Sequence, residues 1–141
     1  MKLVAWGQNA HFFNGQIICD QTWIDDKPYV IYNSILIDTG CTLTITEGTR
    51  VHFHGGSSML VSGTLKVEGT MDSLVTFEGD RLEPFFQDAP GQWDGIFFLR
   101  GSTGNDIKYA VIKNANTAIS SGFSLSPDIA DINTTNIPEV N

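Results

Sequence analysis

Apolar residues in this chain recur in pairs whose two members are separated by one residue. This alternation has a period of two, which is typical of β-strands with one buried face. The pairs return in the same order after 22 or 24 residues: Ile35 and Ile37 as Met59 and Val61, Leu43 and Ile45 as Leu65 and Val67, and Val51 and Phe53 as Val75 and Phe77. A repeat of this kind predicts a solenoid, in which each turn of chain covers the apolar face of the turn before it.

Short turns rich in glycine and threonine separate the predicted strands. Glycine suits such corners because it adopts positive φ without a Cβ clash. A third coil begins at residue 95 and continues to 119, and no segment has a sustained helical period. Because parallel crossovers are strongly right-handed, the pattern predicts an all-β fold, a right-handed parallel β-helix of about three to four coils. The strands predicted for the first two coils are 35–37, 42–45, 50–53, 59–61, 65–67 and 75–77.

Both ends of the chain depart from the repeat. Residues 1–27 contain short β-like runs that do not match it, and we expect them to form an N-terminal β cap, since terminal repeats are usually atypical. The coils are expected over residues 28–121, interrupted by a loop at 79–93. Residues 122–141 are expected to form a weak last coil or a frayed tail. A bare final coil would expose sheet edges, so we expect the native protein to continue beyond it.

Composition fits one globular domain and narrows its partners. The chain has 141 residues, 41% of them hydrophobic and 17% charged, which is the size and balance of a single domain. Its net charge of −8 argues against a nucleic-acid partner, because phosphate binding requires a basic face. No apolar run is long enough to span a membrane, and we expect no cofactor.

Two cysteines, Cys19 and Cys41, are separated by 22 residues, about one coil. If both face the same way they lie on neighbouring turns, roughly 5 Å apart, which is within reach of a disulfide. Two buried free thiols are the alternative, since cysteine is among the most buried residues.

Several segments resemble a known family. Residues 28–32, 43–49 and 62–65 resemble right-handed parallel β-helix proteins of the pectin-lyase-like type. Residues 79–83, 90–93, 95–96 and 110–115 are similar to uncharacterised cell-envelope β-helix proteins of Bacteroidetes, many of them lipoproteins.

The resemblance covers roughly residues 28–120 and implies export to the cell envelope, periplasm or exterior, within a longer chain. It implies no activity. The chain's own N-terminus is too short for the apolar core of a signal peptide, so the expected location follows from the resemblance alone. A glycan or another envelope protein is the expected partner.

The loop at 79–93 is the expected functional segment, because long loops in compact repeats are often functional. Its aromatic planes beside carboxylates suit sugar rings. The alternative is structural: the aromatic side chains fold the loop onto the coils, and Asp80 pairs with Arg81. The candidate ligand-binding residues are Asp80, Arg81, Glu83, Phe85, Trp93 and Asp94.

No catalytic residue or metal ligand is assigned from the sequence. Hydrolysis of a glycoside needs two carboxyl groups roughly 5 to 9 Å apart, and the loop acids would meet this only by folding together. His52 and His54 flank the inward-facing Phe53, so both are expected to face solvent. Two such histidines can bind a metal, with Glu78 expected beside His54 one coil later, but ordinary surface residues explain the same pattern.

Taken together, the sequence favours a non-catalytic cell-surface or secreted β-helix domain that displays a binding face, with carbohydrate as the expected ligand. One alternative is a structural scaffold or stalk of a larger envelope protein. The other is a fragment of a polysaccharide lyase or glycoside hydrolase.

Overall fold

The described part of the chain is all-β and contains no helix. A computed structural model describes residues 9–81, 89, 91–121, 132–135 and 139–140. No helix in this part is long and apolar enough to cross a membrane. The strands are β1 (His11–Asn14), β2 (Ile17–Ile18), β3 (Gln21–Trp23), β4 (Tyr29–Tyr32), β5 (Ile35–Ile37), β6 (Thr42–Thr46), β7 (Arg50–Phe53), β8 (Ser58–Val61), β9 (Thr64–Glu68), β10 (Val75–Gly79), β11 (Trp93–Phe98), β12 (Asn105–Lys108), β13 (Ala110–Ile112), β14 (Ala115–Ser121), β15 (Ile132–Thr135) and β16 (Glu139–Val140).

The strands form three parallel sheets, each of which takes every third strand. Sheet A has the order β1-β4-β7-β10-β13-β16, sheet B the order β14-β11-β8-β5-β2, and sheet C the order β15-β12-β9-β6-β3. We call three consecutive strands, one from each sheet, a coil. Stacking of strands in chain order within each sheet is compatible with a solenoid of parallel strands.

The repeat predicts three strand pairings, and two of them, β5 with β8 and β6 with β9, have the predicted register. Ile35 pairs with Met59 in sheet B, and Leu43 pairs with Leu65 in sheet C. Both pairs are therefore confirmed. They form because loops of nearly constant length return the chain to the same position in each coil. Between the sheets, the inward side chains form one core with the members Ile18, Trp23, Tyr29, Ile31, Ile35, Ile37, Leu43, Ile45, Val51, Phe53, Met59, Val61, Leu65, Val67, Val75, Phe77, Trp93, Ile96, Phe98, Ile107, Ala110, Ile112 and Ala115.

The register in sheet A differs from the prediction by two residues. Phe77 pairs with Val51, and Gly79 pairs with Phe53, whereas the repeat predicted Val75 opposite Val51. A shift of two leaves every side chain on its expected face, so the alternation cannot detect it. Gly79 has no side chain to set against the Phe53 ring, which instead stacks on Trp93 with centroids 4.0 Å apart.

The two ends are more regular than the sequence suggested. Strands β1, β2 and β3 pair in parallel with β4, β5 and β6. The segment that we expected as an irregular cap therefore supplies the first coil, at least over its described strands. At the other end, β15 extends sheet C and β16 extends sheet A. The described strands amount to five sets of three plus β16, more than the three to four coils expected.

Cys19 and Cys41 form a disulfide between the first two coils. Their Cα atoms are 4.8 Å apart and their separation along the chain is 22 residues. Asp20, which follows Cys19, accepts a hydrogen bond at Oδ1 from the Thr42 backbone N–H, with a distance of 3.0 Å. The first coil is thus tied to the second both covalently and through a corner hydrogen bond.

Removing the disulfide should destabilise the protein. A cross-link that closes a loop of this length contributes about 3 kcal/mol, largely by restricting the unfolded chain. We expect the double variant Cys19→Ser/Cys41→Ser to lose free energy of unfolding of that order in urea titrations. Adding reductant should shift the wild-type midpoint and leave that of the variant unchanged. Equal midpoints for oxidised and reduced wild type would contradict the assignment.

Candidate functional site

The outer face of sheet A carries a column of polar and aromatic side chains from three successive coils. Tyr32 ends β4, His54 follows β7 and Asp80 follows β10. The His54 backbone N–H donates to the Ile31 carbonyl at 2.8 Å, and the Asp80 N–H donates to the Phe53 carbonyl at 3.0 Å. These bonds continue the parallel ladder past the strand ends and place the three side chains in line.

His54 and Asp80 form the central pair of this column. The Nδ1 atom of His54 lies 2.9 Å from Oδ2 of Asp80. The Asp80 side chain is only 3% exposed, whereas that of His54 is 43% exposed. Because a carboxylate can only accept, the hydrogen of the imidazole lies on Nδ1 and the lone pair on Nε2. In the part of the chain that the structure describes, Nε2 has no hydrogen-bond partner.

Tyr32 packs against the pair from the preceding coil. Its ring stacks on the His54 imidazole with centroids 4.6 Å apart and an interplanar angle of 18°. Partial burial raises the pKa of the Tyr32 phenol, and the negative charge of Asp80 raises it further. The stacked Tyr32 ring from one coil and the Asp80 carboxylate from another together hold the His54 imidazole in place.

An open cleft of about 450 Å³ lies beside this pair. It is located where the chain leaves β10 in sheet A and before it enters β11 in sheet B. Its volume falls within the usual range for small-ligand sites, roughly 300 to 1,000 Å³. The described residues that line it are His54, Gly55, Asp80, Arg81, Ala89, Gly91 and Gln92.

Asn114 anchors the chain on both sides of this cleft. Its Oδ1 accepts from the Gly79 N–H at 3.2 Å, and its Nδ2 donates to the Ala89 carbonyl at 3.1 Å. Its own carbonyl accepts from the Gln92 N–H at 2.7 Å. Asn114 adopts a φ of 69°, a left-handed conformation that asparagine tolerates better than most residues. One buried amide thus holds the end of β10 close to the start of β11.

The structure brings together two of the six predicted ligand-binding residues. Asp80 and Arg81 both line the cleft. Glu83 and Phe85 lie outside the described residues. Asp80 pairs with His54, a residue that we had considered only as a metal ligand.

Trp93 occupies a different place from the one expected. It is completely buried, its indole N–H donates to the Lys113 carbonyl at 2.8 Å, and its ring packs face to face on Phe53. It therefore offers no face to a ligand. The alternative in which this aromatic ring serves packing accounts for Trp93, because the ring is buried in the core against Phe53.

Asp94 lies on β11 and does not line the cleft. Its carboxylate accepts from the Ser58 hydroxyl at 3.4 Å and from the Asn116 amide at 3.3 Å. These contacts lie on the outer face of sheet B, so Asp94 belongs to a separate part of the surface.

Two expectations for this face are wrong: His52 does not face solvent, and Glu78 lies beside His52 rather than beside His54. His52 is 5% exposed, and its Nδ1 donates to the Gly79 carbonyl at 3.2 Å. The partner of His52 in the next coil is Glu78, with Nδ1 and Oε2 3.8 Å apart. The motif His-x-His at 52–54 aligns with the motif Glu-x-Asp at 78–80 at a separation of 26 residues. This alignment was the sequence signal for the pairing of His54 with Asp80. The repeat spacing of 24 residues obscured it, because that spacing places Glu78 beside His54.

A metal site is not formed by these histidines in the described part of the chain. There, the one cluster of three potential ligands that lie close together consists of Cys19, Asp20 and Cys41. Its two sulfur atoms are bonded to each other, so they cannot act as thiolate ligands.

Comparison of the chain with protein-family models, curated proteins and solved structures finds no match. The chemistry of the cleft therefore carries the functional argument. It combines an imidazole that can accept a hydrogen bond at Nε2 with a guanidinium that only donates. Such a set can bind a ligand that presents several hydroxyl groups.

Burial of His52 makes stability depend on pH. Burial lowers the pKa of His52 below its ordinary value of 6.5, and the nearby charge of Glu78 only partly opposes this. As the pH falls below 6.5, the unfolded chain therefore takes up a proton before the folded chain does. The free energy of unfolding contributed by this group should be highest above 6.5 and should decrease below it, by up to about 1.4 kcal/mol per pH unit.

We expect the variant His52→Gln to show a weaker loss of stability between pH 7.5 and pH 5 than the wild type. His11→Gln is the control, because His11 is partly exposed. Urea titrations at several pH values measure the slopes. Equal slopes for wild type and His52→Gln would contradict the assignment.

Proposed function

We propose that this chain is a right-handed parallel β-helix domain of a secreted or cell-envelope protein and that its cleft binds a carbohydrate. Three stacked parallel sheets support the fold, and the strong preference of parallel crossovers supports its hand. The disulfide between Cys19 and Cys41 supports an oxidising compartment, because such bonds are rare in the cytosol.

The observation that carries the proposed ligand is the convergence of His54 and Arg81 on one cleft. Nε2 of His54 can accept a hydrogen bond, and the Arg81 guanidinium can only donate. A sugar hydroxyl both donates and accepts, so neighbouring hydroxyls on one ring satisfy both kinds of group. A polyanion such as nucleic acid is disfavoured by the net charge of −8.

Trp93, one of the six candidate residues, is unsuitable for testing this ligand, because its ring belongs to the core. The residues to test are those whose polar atoms line the cleft. Arg81 is exposed, so its replacement should leave the core intact.

We expect Arg81→Ala to weaken glycan binding by at least about tenfold, since a hydrogen bond to a charged group contributes about 1.5–3 kcal/mol. His54→Ala should weaken it by about two- to tenfold, since a hydrogen bond between neutral groups contributes about 0.5–1.5 kcal/mol. The glycan is first found on an array with the full chain and its affinity is then measured by calorimetry. Arg50→Ala is the matched control, because Arg50 is also exposed but does not line the cleft.

Two results would contradict the proposal. In one, no glycan binds, which would favour the structural scaffold. In the other, a glycan binds but both cleft variants retain the wild-type affinity while Arg50→Ala does not.

A further inference from the structure

In the described part of the chain, two histidine–aspartate pairs share one arrangement, in which a ring nitrogen bonds to a carboxylate and the imidazole stacks on a tyrosine. In the first coil, Nε2 of His11 lies 3.0 Å from Oδ1 of Asp26, and the imidazole stacks on Tyr29 with centroids 4.4 Å apart. The pair of His54 and Asp80 repeats this arrangement on Tyr32. The difference between the two pairs lies in their surroundings.

The carboxylates differ in burial. The side chain of Asp26 is 41% exposed, whereas that of Asp80 is 3% exposed. Burying a carboxylate costs free energy unless the carboxylate is hydrogen-bonded. The hydrogen bond from His54 therefore stabilises buried Asp80 more than the one from His11 stabilises Asp26. His54 also lines the cleft, and His11 is not among the lining residues. Only one of the two imidazoles therefore has both a fixed tautomer and a ligand-sized space beside it.

We propose that His54, positioned by Asp80, is a general base that hydrolyses a carboxylic ester carried by a ligand in the cleft. A base whose lone pair is fixed toward a bound ligand accelerates such reactions, typically by about 10²- to 10⁴-fold. The inference rests on the proposed function in one respect: it takes the bound carbohydrate to be the alcohol component of the ester. It goes beyond the non-catalytic role that the sequence favoured, because the sequence did not place Asp80 beside His54.

In this reaction, a water oxygen bonds to the ester carbonyl carbon while Nε2 of His54 takes the proton from the water. The carbonyl π electrons move onto the carbonyl oxygen and give a tetrahedral oxyanion. Arg81 lines the same cleft and brings N–H donors that can stabilise this negative charge. When the oxyanion collapses, the bond to the alcohol oxygen breaks and the proton on Nε2 passes to that oxygen. The products are a carboxylic acid and an alcohol, and His54 is neutral again.

An ester suits the cleft better than a glycosidic bond does. Hydrolysis of a glycoside usually needs two carboxyl groups, one on each side of the bond. The described lining of the cleft contains one carboxylate, Asp80, and its hydrogen bond to His54 occupies it. A neutral imidazole held by a carboxylate is instead the arrangement that activates an oxygen nucleophile toward an acyl carbon.

The test uses the full chain with p-nitrophenyl acetate as the probe. We expect the wild type to release p-nitrophenol faster than the same buffer does without protein. His54→Gln should lower kcat/KM at least tenfold. The matched control His11→Gln removes the other stacked, aspartate-paired imidazole and should leave kcat/KM within twofold of wild type.

Asp80 acts through His54 and is a positioning residue. Asp80→Asn should lower kcat with little change in KM, since an amide can donate to Nδ1 and favour the wrong tautomer. Asp80→Glu should restore part of the rate because it again supplies a carboxylate. Circular dichroism checks that each variant is folded, and if Asp80→Asn unfolds, the comparison of His54→Gln with His11→Gln decides alone.

Equal kcat/KM for wild type and His54→Gln would overturn the inference. A loss of kcat/KM in His11→Gln as large as that in His54→Gln would also overturn it, because it would indicate hydrolysis by surface imidazoles in general. Glycan binding is measured separately on the same proteins. Binding without hydrolysis dependent on His54 overturns the inference and leaves the proposed function standing. Hydrolysis that depends on His54 without any glycan binding supports the inference and contradicts the proposed function.

Discussion

The parallel register between β7 and β10 determines where the polar side chains of this protein meet. Gly79 lies opposite Phe53, and the next ladder bond places Asp80 beside His54. A register two residues shorter would keep the same faces buried and would set Glu78 beside His54 instead. Close packing fits the observed register, because a Cβ at position 79 would collide with the Gln92 side chain, while the neighbouring Phe53 ring stacks on Trp93. The site on the outside of the sheet therefore depends on a packing contact inside it.

Burial then gives chemically similar groups different roles. His52 and His54 are two residues apart on the same face, yet only His52 is deeply buried. Burial penalises the imidazolium of His52, which makes it a group that affects stability. His54 keeps an exposed edge at a cleft and a buried carboxylate behind it, which makes it a group that can meet a ligand. The comparison of His54 with His11 also shows that surroundings decide the role. Both imidazoles bond to an aspartate, but only His54 has a buried aspartate and lines the cleft.

Much of the fold could be predicted because its rules are local. Alternation along a strand assigned Ile35, Leu43 and Val51 to the inner face, and all three are buried. The register of β5 on β8 followed from constant spacing. The first three strands did not match the repeat because their apolar residues are spaced differently, although these strands pair with the next coil in the same parallel way.

The candidate site was predictable only in part. Asp80 and Arg81 were identified from the interruption of the repeat, but their neighbour His54 was not. The sequence by itself determined which face each strand residue occupies, because side chains alternate about a single extended strand. The tertiary structure decided which residues meet across coils, since that choice depends on contacts distant in sequence. It buried Trp93, brought Asn114 to the ends of the loop, and joined His54 to Asp80.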